Sequence, residues 1–294
     1  MINVAYKTNE TNSSFDLNNY DFMILSMNTL LDDDLFDLSG KVVVLTGASG
    51  FLGKQYAHAL CQANAIVILA DIDLKESKKL TTKLKTKYST QIMPIKTDLT
   101  NKQSIKNLVS KVVEKFSRID VLINNAMFHE NKKELTTPFE KYSLLNWNKV
   151  IDVNLTGMFL CCQEVGKIMK KQKSGNIINI NSIYGLVGAD QRIYANSGLN
   201  SSISYAVTKG AVLNLTRYLA SYWNRKNIRV NALTLGGVEN NQDKEFAKNY
   251  SYRTMLGRMA KKNDYVGAII FLASNASSYM TGSNLVVDGG WTAW

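Results

Sequence analysis

The chain has 294 residues, 45% of them hydrophobic and 20% charged, with a formal net charge of +11. That balance suits one large folded core and argues against a disordered chain. No apolar run approaches the ~20 residues that a membrane span requires, and the start is rich in Asn, Thr and Asp rather than basic then apolar, which points to a cytoplasmic protein with no membrane partner.

Residues 1–37 contain no glycine, carry the acidic run Asp32-Asp33-Asp34 and read as an N-terminal extension, with Met27 an alternative first residue. From Lys41 onward the rhythm changes. Short β-branched apolar runs, "KVVVLT" (41–46), "AIVILA" (65–70), "QIMPIK" (91–96), "IDVLIN" (119–124), "GNIINI" (175–180), "NIRVNAL" (227–233) and "NLVVDG" (284–289), alternate with longer helical patterns. Runs that are apolar throughout belong to strands covered on both faces. They predict an α/β fold: a doubly wound, Rossmann-type, seven-stranded parallel sheet with helices on both faces, in a single domain over 38–294.

The first turn of that pattern, "LTGASGFLGK" (45–54), places Gly47, Gly50 and Gly53 between a strand and a helix, where backbone can approach a diphosphate at the helix N-terminus. A triphosphate loop needs four residues between its glycines and then Lys-Ser/Thr; here five separate Gly47 from Gly53, and Gln55 follows Lys54. The second strand ends in Asp71, 18 residues beyond Gly53, followed by Ile72 rather than an arginine. A carboxylate there accepts from ribose hydroxyls and repels a 2′-phosphate, favouring NAD(H) over NADP(H). The next segment, "KESKKLTTKLKTK" (75–87), reads as a lysine-rich solvated helix face rather than a nucleic-acid site. Asp98, after the third strand, is a candidate for the adenine edge, with a helix-capping role as the competing assignment.

Cys61 lies in the first helix, Cys161 and Cys162 in a later one, and with His58 and His129 the only histidines there is no metal-ligand spacing, so reduced thiols and no metal site are expected. Ser182 emerges at the end of the fifth strand, where its hydroxyl can donate to a substrate oxygen. A long loop follows, 185–203, carrying Asp190, Arg192, Tyr194 and Asn196, polar groups suited to a hydroxylated or anionic small substrate. "SYAVTKGA" (204–211) then sets Tyr205 and Lys209 one helical turn apart, so that an ammonium can favour the phenolate and lower its pKa from about 10 toward neutrality for acid/base work. Tyr222 and Lys226 repeat the spacing, at the helix end away from the strand C-termini where ligands bind.

Taken together, "TGASGFLG", "NNA" (124–126), "VNLTG" around Asn154, Ser182, Tyr205 with Lys209, "IRVNALTLGGV" (228–238) and the closing "FLASNASSYMTGSNLVVDGG" (271–290) resemble the compact single-domain branch of the short-chain dehydrogenases/reductases. The resemblance implies an NAD-dependent oxidoreductase in which Tyr205 is the general acid/base, Lys209 binds the nicotinamide ribose and lowers the tyrosine pKa, Ser182 orients the substrate oxygen and Asn154 holds a water. It places the dinucleotide on Gly47, Ser49, Gly50, Phe51, Leu52 and Gly53. Asp71, Asp98, Leu99, Asn125 and Ala126 follow at the adenosine side and centre, and Tyr205, Lys209, Gly236, Val238 and Asn240 at the nicotinamide end. Ser182, Tyr184, Arg192, Tyr194 and Tyr205 are then expected to meet substrate.

Several residues depart from the family pattern: Phe51 stands at the usual middle glycine, Met127 after "NNA", Leu235 for a proline, and Asn240 for a threonine. With "SIYG" ahead of it, the long loop is similar to dehydrogenases of bacterial surface-glycan and flagellin glycosylation, which implies a sugar, sugar phosphate or nucleotide-sugar as substrate. The glycine spacing leaves open an epimerase or dehydratase with retained NAD, and the fold leaves open a non-catalytic dinucleotide-binding protein. Family analogy implies a homo-tetramer or dimer, built on the helical stretches near 143–172 and 203–226.

Overall fold

The computed structural model describes residues 35–294; Met27, the run Asp32 to Asp34 and nearly all of the expected extension lie outside the described residues. All seven expected strands form: β1 (Val42–Thr46), β2 (Ile66–Asp71), β3 (Ile92–Lys96), β4 (Val121–Asn124), β5 (Gly175–Ser182), β6 (Ile228–Leu235) and β7 (Asn284–Val287). They make one parallel sheet in the order β3-β2-β1-β4-β5-β6-β7. Residues Phe36–Trp294 pack as a single unit.

Successive residues of β1 show why continuous apolar runs were needed. Val43 and Leu45 face one layer, with Leu69, Ile123, Ile178 and Leu233, and meet helices α1 (Phe51–Gln62) and α2 (Leu74–Lys85). Val42 and Val44 face the other, with Ile68, Leu122, Ile177 and Val230. There they meet α3 (Lys102–Phe116), α5 (Met158–Gln172) and α6 (Ile203–Tyr222). The inner strands therefore remove both their faces from water, at roughly 1.5–3 kcal/mol per large side chain, while the edge strands β3 and β7 stay partly exposed. The exposed side of α2 carries Lys75, Lys78, Lys79, Lys83 and Lys85, as the charge pattern predicts.

The helix ahead of α5 is not continuous. Helix α4 (Leu144–Ile151) passes through a six-residue π turn, Asp152–Gly157, before α5 begins; such turns widen a helix locally and recur at functional sites. Gly157 is needed there because a Cβ would stand 2.8 Å from Cβ of Leu99. Helix α6 ends at Tyr222, so Tyr222 and Lys226 share no helical face, and the second Tyr/Lys spacing is a coincidence of sequence. Helices α7 (Lys244–Tyr252) and α8 (Val266–Ala273) complete the fold.

Candidate active site

The strand order reverses between β1 and β4, and at the carboxyl edge beside that reversal lies a cleft of about 1010 Å³, the place where open α/β sheets bind ligands. Its floor is the β1–α1 turn. Gly47 has φ +62, and a Cβ there would stand 2.6 Å from the Ala126 Cα; a Cβ on Gly53 would stand 2.1 Å from the Gly47 carbonyl oxygen. Both glycines are therefore dictated by close backbone approach. Asn125 holds the turn from β4, donating its side-chain amide to the carbonyls of Thr46 (3.0 Å) and Gly47 (3.1 Å).

Helix α1 starts at Phe51 with no side-chain cap and no acidic residue in its first turn. Its leading N–H groups thus face the cleft with no intrahelical partner, a site that favours an anion. Asp71, at the end of β2, accepts from the backbone N–H of Ser49 (2.8 Å) and of Asp73 (3.0 Å), which fixes the carboxylate against the glycine turn. Asp98 also lines the cleft, while its Oδ1 accepts from the backbone and hydroxyl of Thr100 (2.9 and 2.7 Å); the cap of α3 is Asn101.

At the opposite end Ser182, Tyr184, Tyr194, Tyr205 and Lys209 line the same cleft, with Gly236, Val238 and Asn240 from the turn after β6. Lys209 is buried, donates to the Ile180 carbonyl at 2.8 Å and stands 5.6 Å from the Tyr205 ring centroid. Asn154, buried in the π turn, accepts the Phe128 N–H at 2.7 Å through Oδ1, while its Nδ2 has no partner among the described residues. An unpaired buried amide N–H is what an ordered water would satisfy.

Residues 47–292 match the family model described as enoyl-(acyl carrier protein) reductase. The chain belongs to the short-chain dehydrogenase/reductase family. It is similar to the post-translational flagellin modification protein A of Campylobacter coli, 33% identical over 254 residues, covering 86% of this chain and 99% of that protein. Among solved structures it is similar to a short-chain dehydrogenase of Leptospira borgpetersenii with bound NAD+ (32% identity, TM-score 0.75, 98% and 100% of the two chains). It is also similar to a gluconate 5-dehydrogenase of Burkholderia cenocepacia in complex with NADP and tartrate (28% identity, TM-score 0.79, 89% and 98%). The enzyme is an oxidoreductase acting on a CH–OH or carbonyl group, and its family binds a nicotinamide dinucleotide. The glycine turn, which a Cβ would fill, and the uncapped α1 N-terminus fit that group.

One expectation is corrected. Arg192 does not line the cleft: its guanidinium is 82% exposed and held by both oxygens of Asp190 at 2.8 and 2.9 Å, with Arg253 adding a contact at 3.5 Å. Burial raises the Tyr205 pKa, and the Ser182 hydroxyl pulls the other way. Burial pushes the Lys209 ammonium itself down to about 8.

Sequence reasoning did not single out Phe128, Phe246, Tyr250 and Met259, which also line the cleft. Phe246 and Tyr250 are four apart on α7 and form an aromatic file, with Tyr194 at 5.2 Å from Phe246 and Trp291 at 4.3 Å from Tyr250. Their i,i+4 spacing was the available signal, but nothing local says which wall such a face meets. The Tyr250 hydroxyl accepts the Gly237 N–H, and Tyr265 donates to the Gly236 carbonyl at 2.8 Å, so two tyrosines clamp the turn where Leu235 replaces proline.

Proposed function

We propose that the enzyme is an NAD-dependent dehydrogenase of a hydroxylated small molecule, a sugar, sugar phosphate, sugar acid or nucleotide-sugar, working in the cytoplasm as a homo-oligomer. The observation that carries it is the convergence of Ser182, Tyr205 and Lys209 on one end of a cleft whose other end holds Asp71 against the glycine turn. NAD over NADP is supported by that carboxylate and by the exposed, uncharged Ile72 beside it, since a 2′-phosphate would meet a fixed negative charge and no cation from β2. The similarity to a gluconate 5-dehydrogenase supports a carbohydrate-type substrate, as do the cleft phenols of Tyr184 and Tyr194. The buried free thiols Cys61, Cys161 and Cys162 suit a reducing compartment.

A bound nicotinamide dinucleotide supplies the hydride acceptor, or the donor in reverse. Ser182 donates its single hydroxyl proton to the substrate oxygen. The phenolate of Tyr205 removes the hydroxyl proton as the carbon gives up its hydride, and in reduction the phenol returns that proton to the carbonyl oxygen. Lys209 lies between the phenol and β5, and its ammonium would hold the nicotinamide ribose of the bound dinucleotide. A water held by the unpartnered Asn154 Nδ2 would carry the proton onward toward solvent.

The test is turnover of NAD+ and of NADP+ by the purified protein over a panel of sugars, sugar acids, sugar phosphates and nucleotide-sugars, read as reduced nicotinamide. Net reduction with a panel member and a preference for NAD+ support the reading. Reduction of NADP+ alone removes the cofactor assignment, and turnover confined to apolar ketones removes the substrate class.

A further inference from the structure

The first turn of α6, which carries Tyr205, is held by a file of hydroxyls that the chemistry above does not use. Ser202 caps the helix, accepting the Tyr205 backbone N–H at 3.4 Å. The Ser202 and Ser204 hydroxyls are 2.7 Å apart, Ser204 is 2.7 Å from the Tyr142 hydroxyl, and Tyr142 donates to Oε1 of Glu130. Tyr142 also stands 3.5 Å from Ser202. Ser202 and Ser204 are buried, Tyr142 and Glu130 half-buried.

The protons in this file can run only one way. A carboxylate accepts and cannot donate, and each hydroxyl owns one proton. With Tyr142 donating to Glu130, its oxygen must accept from Ser204, Ser204 must accept from Ser202, and Ser202 must accept from the Tyr205 N–H. Every hydroxyl then donates once and accepts once, and hydrogen bonds aligned in one sense polarise one another. The file joins two parts of the site. At one end is the turn that positions Tyr205. At the other is the 125–142 segment, whose Asn125, Ala126, Met127 and Phe128 line the cleft and whose Phe128 N–H is tied to Asn154.

We propose that Tyr142, anchored by Glu130, is a positioning residue that sets the Tyr205 phenol against Ser182 by fixing the first turn of α6. The inference rests on the reading of Tyr205 as acid/base. Its geometric part does not.

Two substrate-free measurements test it, made on the full chain with saturating NAD+. In Y142F, amide hydrogen exchange over 202–206 should quicken about fivefold, the effect of losing a cap contact. The Tyr205 titration, isolated as tyrosinate absorbance lost on adding Y205F to each background, should move by about half a pH unit. NAD+ affinity should stay within about twofold, since Tyr142 does not line the cleft. E130A should reproduce both changes without touching a buried residue, and E130Q, which keeps the acceptor, should restore wild-type behaviour.

Unchanged exchange in Y142F and E130A overturns the proposal. So does faster exchange with an unmoved Tyr205 titration, which reduces the file to a structural tie. Failure of the acid/base reading looks different: Y205F would keep turnover on the best panel substrate while the exchange results stood.

Discussion

The two ends of the cleft are built from different materials. The dinucleotide end is backbone at the edges of buried strands: a glycine turn, a helix N-terminus, and one carboxylate held by two N–H groups. The opposite end is side chains, brought from β5, the 185–203 loop and α7, with Tyr194, Phe246 and Tyr250 in file and Trp291 stacked behind Tyr250. Backbone geometry demands particular residue types at particular spacings, so it leaves a mark in sequence. A wall of side chains demands only that several distant segments meet.

That contrast can be broken at either end. Y205F, at the junction, should lower turnover by about 10²- to 10⁴-fold, the usual worth of a positioned acid/base, with NAD+ affinity nearly unchanged by calorimetry. At the dinucleotide end, G47A forces a Cβ to within 2.6 Å of the Ala126 backbone at a positive φ, and should cost about 1–3 kcal/mol in thermal unfolding together with NAD+ binding. D71N should then narrow the NAD+/NADP+ preference by about tenfold in kcat/KM, the equivalent of one charge contact of about 1.4 kcal/mol; an unaltered ratio would show that Asp71 only braces the glycine turn.

Lys209 gives a prediction in pH. Its folded-state pKa near 8 lies below the ordinary lysine value of 10.5, so between those two pH values the unfolded chain binds more protons. Its contribution to unfolding free energy should therefore rise with pH across that window, and K209M should remove that rise when the two proteins are compared by denaturant unfolding. The smallest effect belongs to the loop: R192A, losing only an exposed ion pair with Asp190, should leave KM for the best substrate within about twofold.

Particular residues show where legibility stopped. Gly47, Gly53 and the apolar runs of the inner strands could be read because each answers a local demand of backbone approach or two-sided burial. The Tyr205/Lys209 pair was legible as spacing but not as electrostatics. Burial, which raises the phenol and lowers the ammonium, depends on what packs around α6. Arg192 misled because a cation in a loop beside the site invites a substrate role, whereas its nearest carboxylate, two residues away, had already claimed it. Tyr142 and Ser204 gave no signal at all, standing 62 residues apart.

By itself, then, the chain's order of apolar runs and glycines determined the doubly wound sheet and the tight turn after its first strand, since these follow from periodicity and steric need within a few residues. Tertiary structure alone decided which loop residues reach the cleft, which aromatics wall it and how the α6 first turn is held. Those contacts join segments distant in sequence, and their energies come from burial and from hydrogen bonds that exist only once the layers have closed.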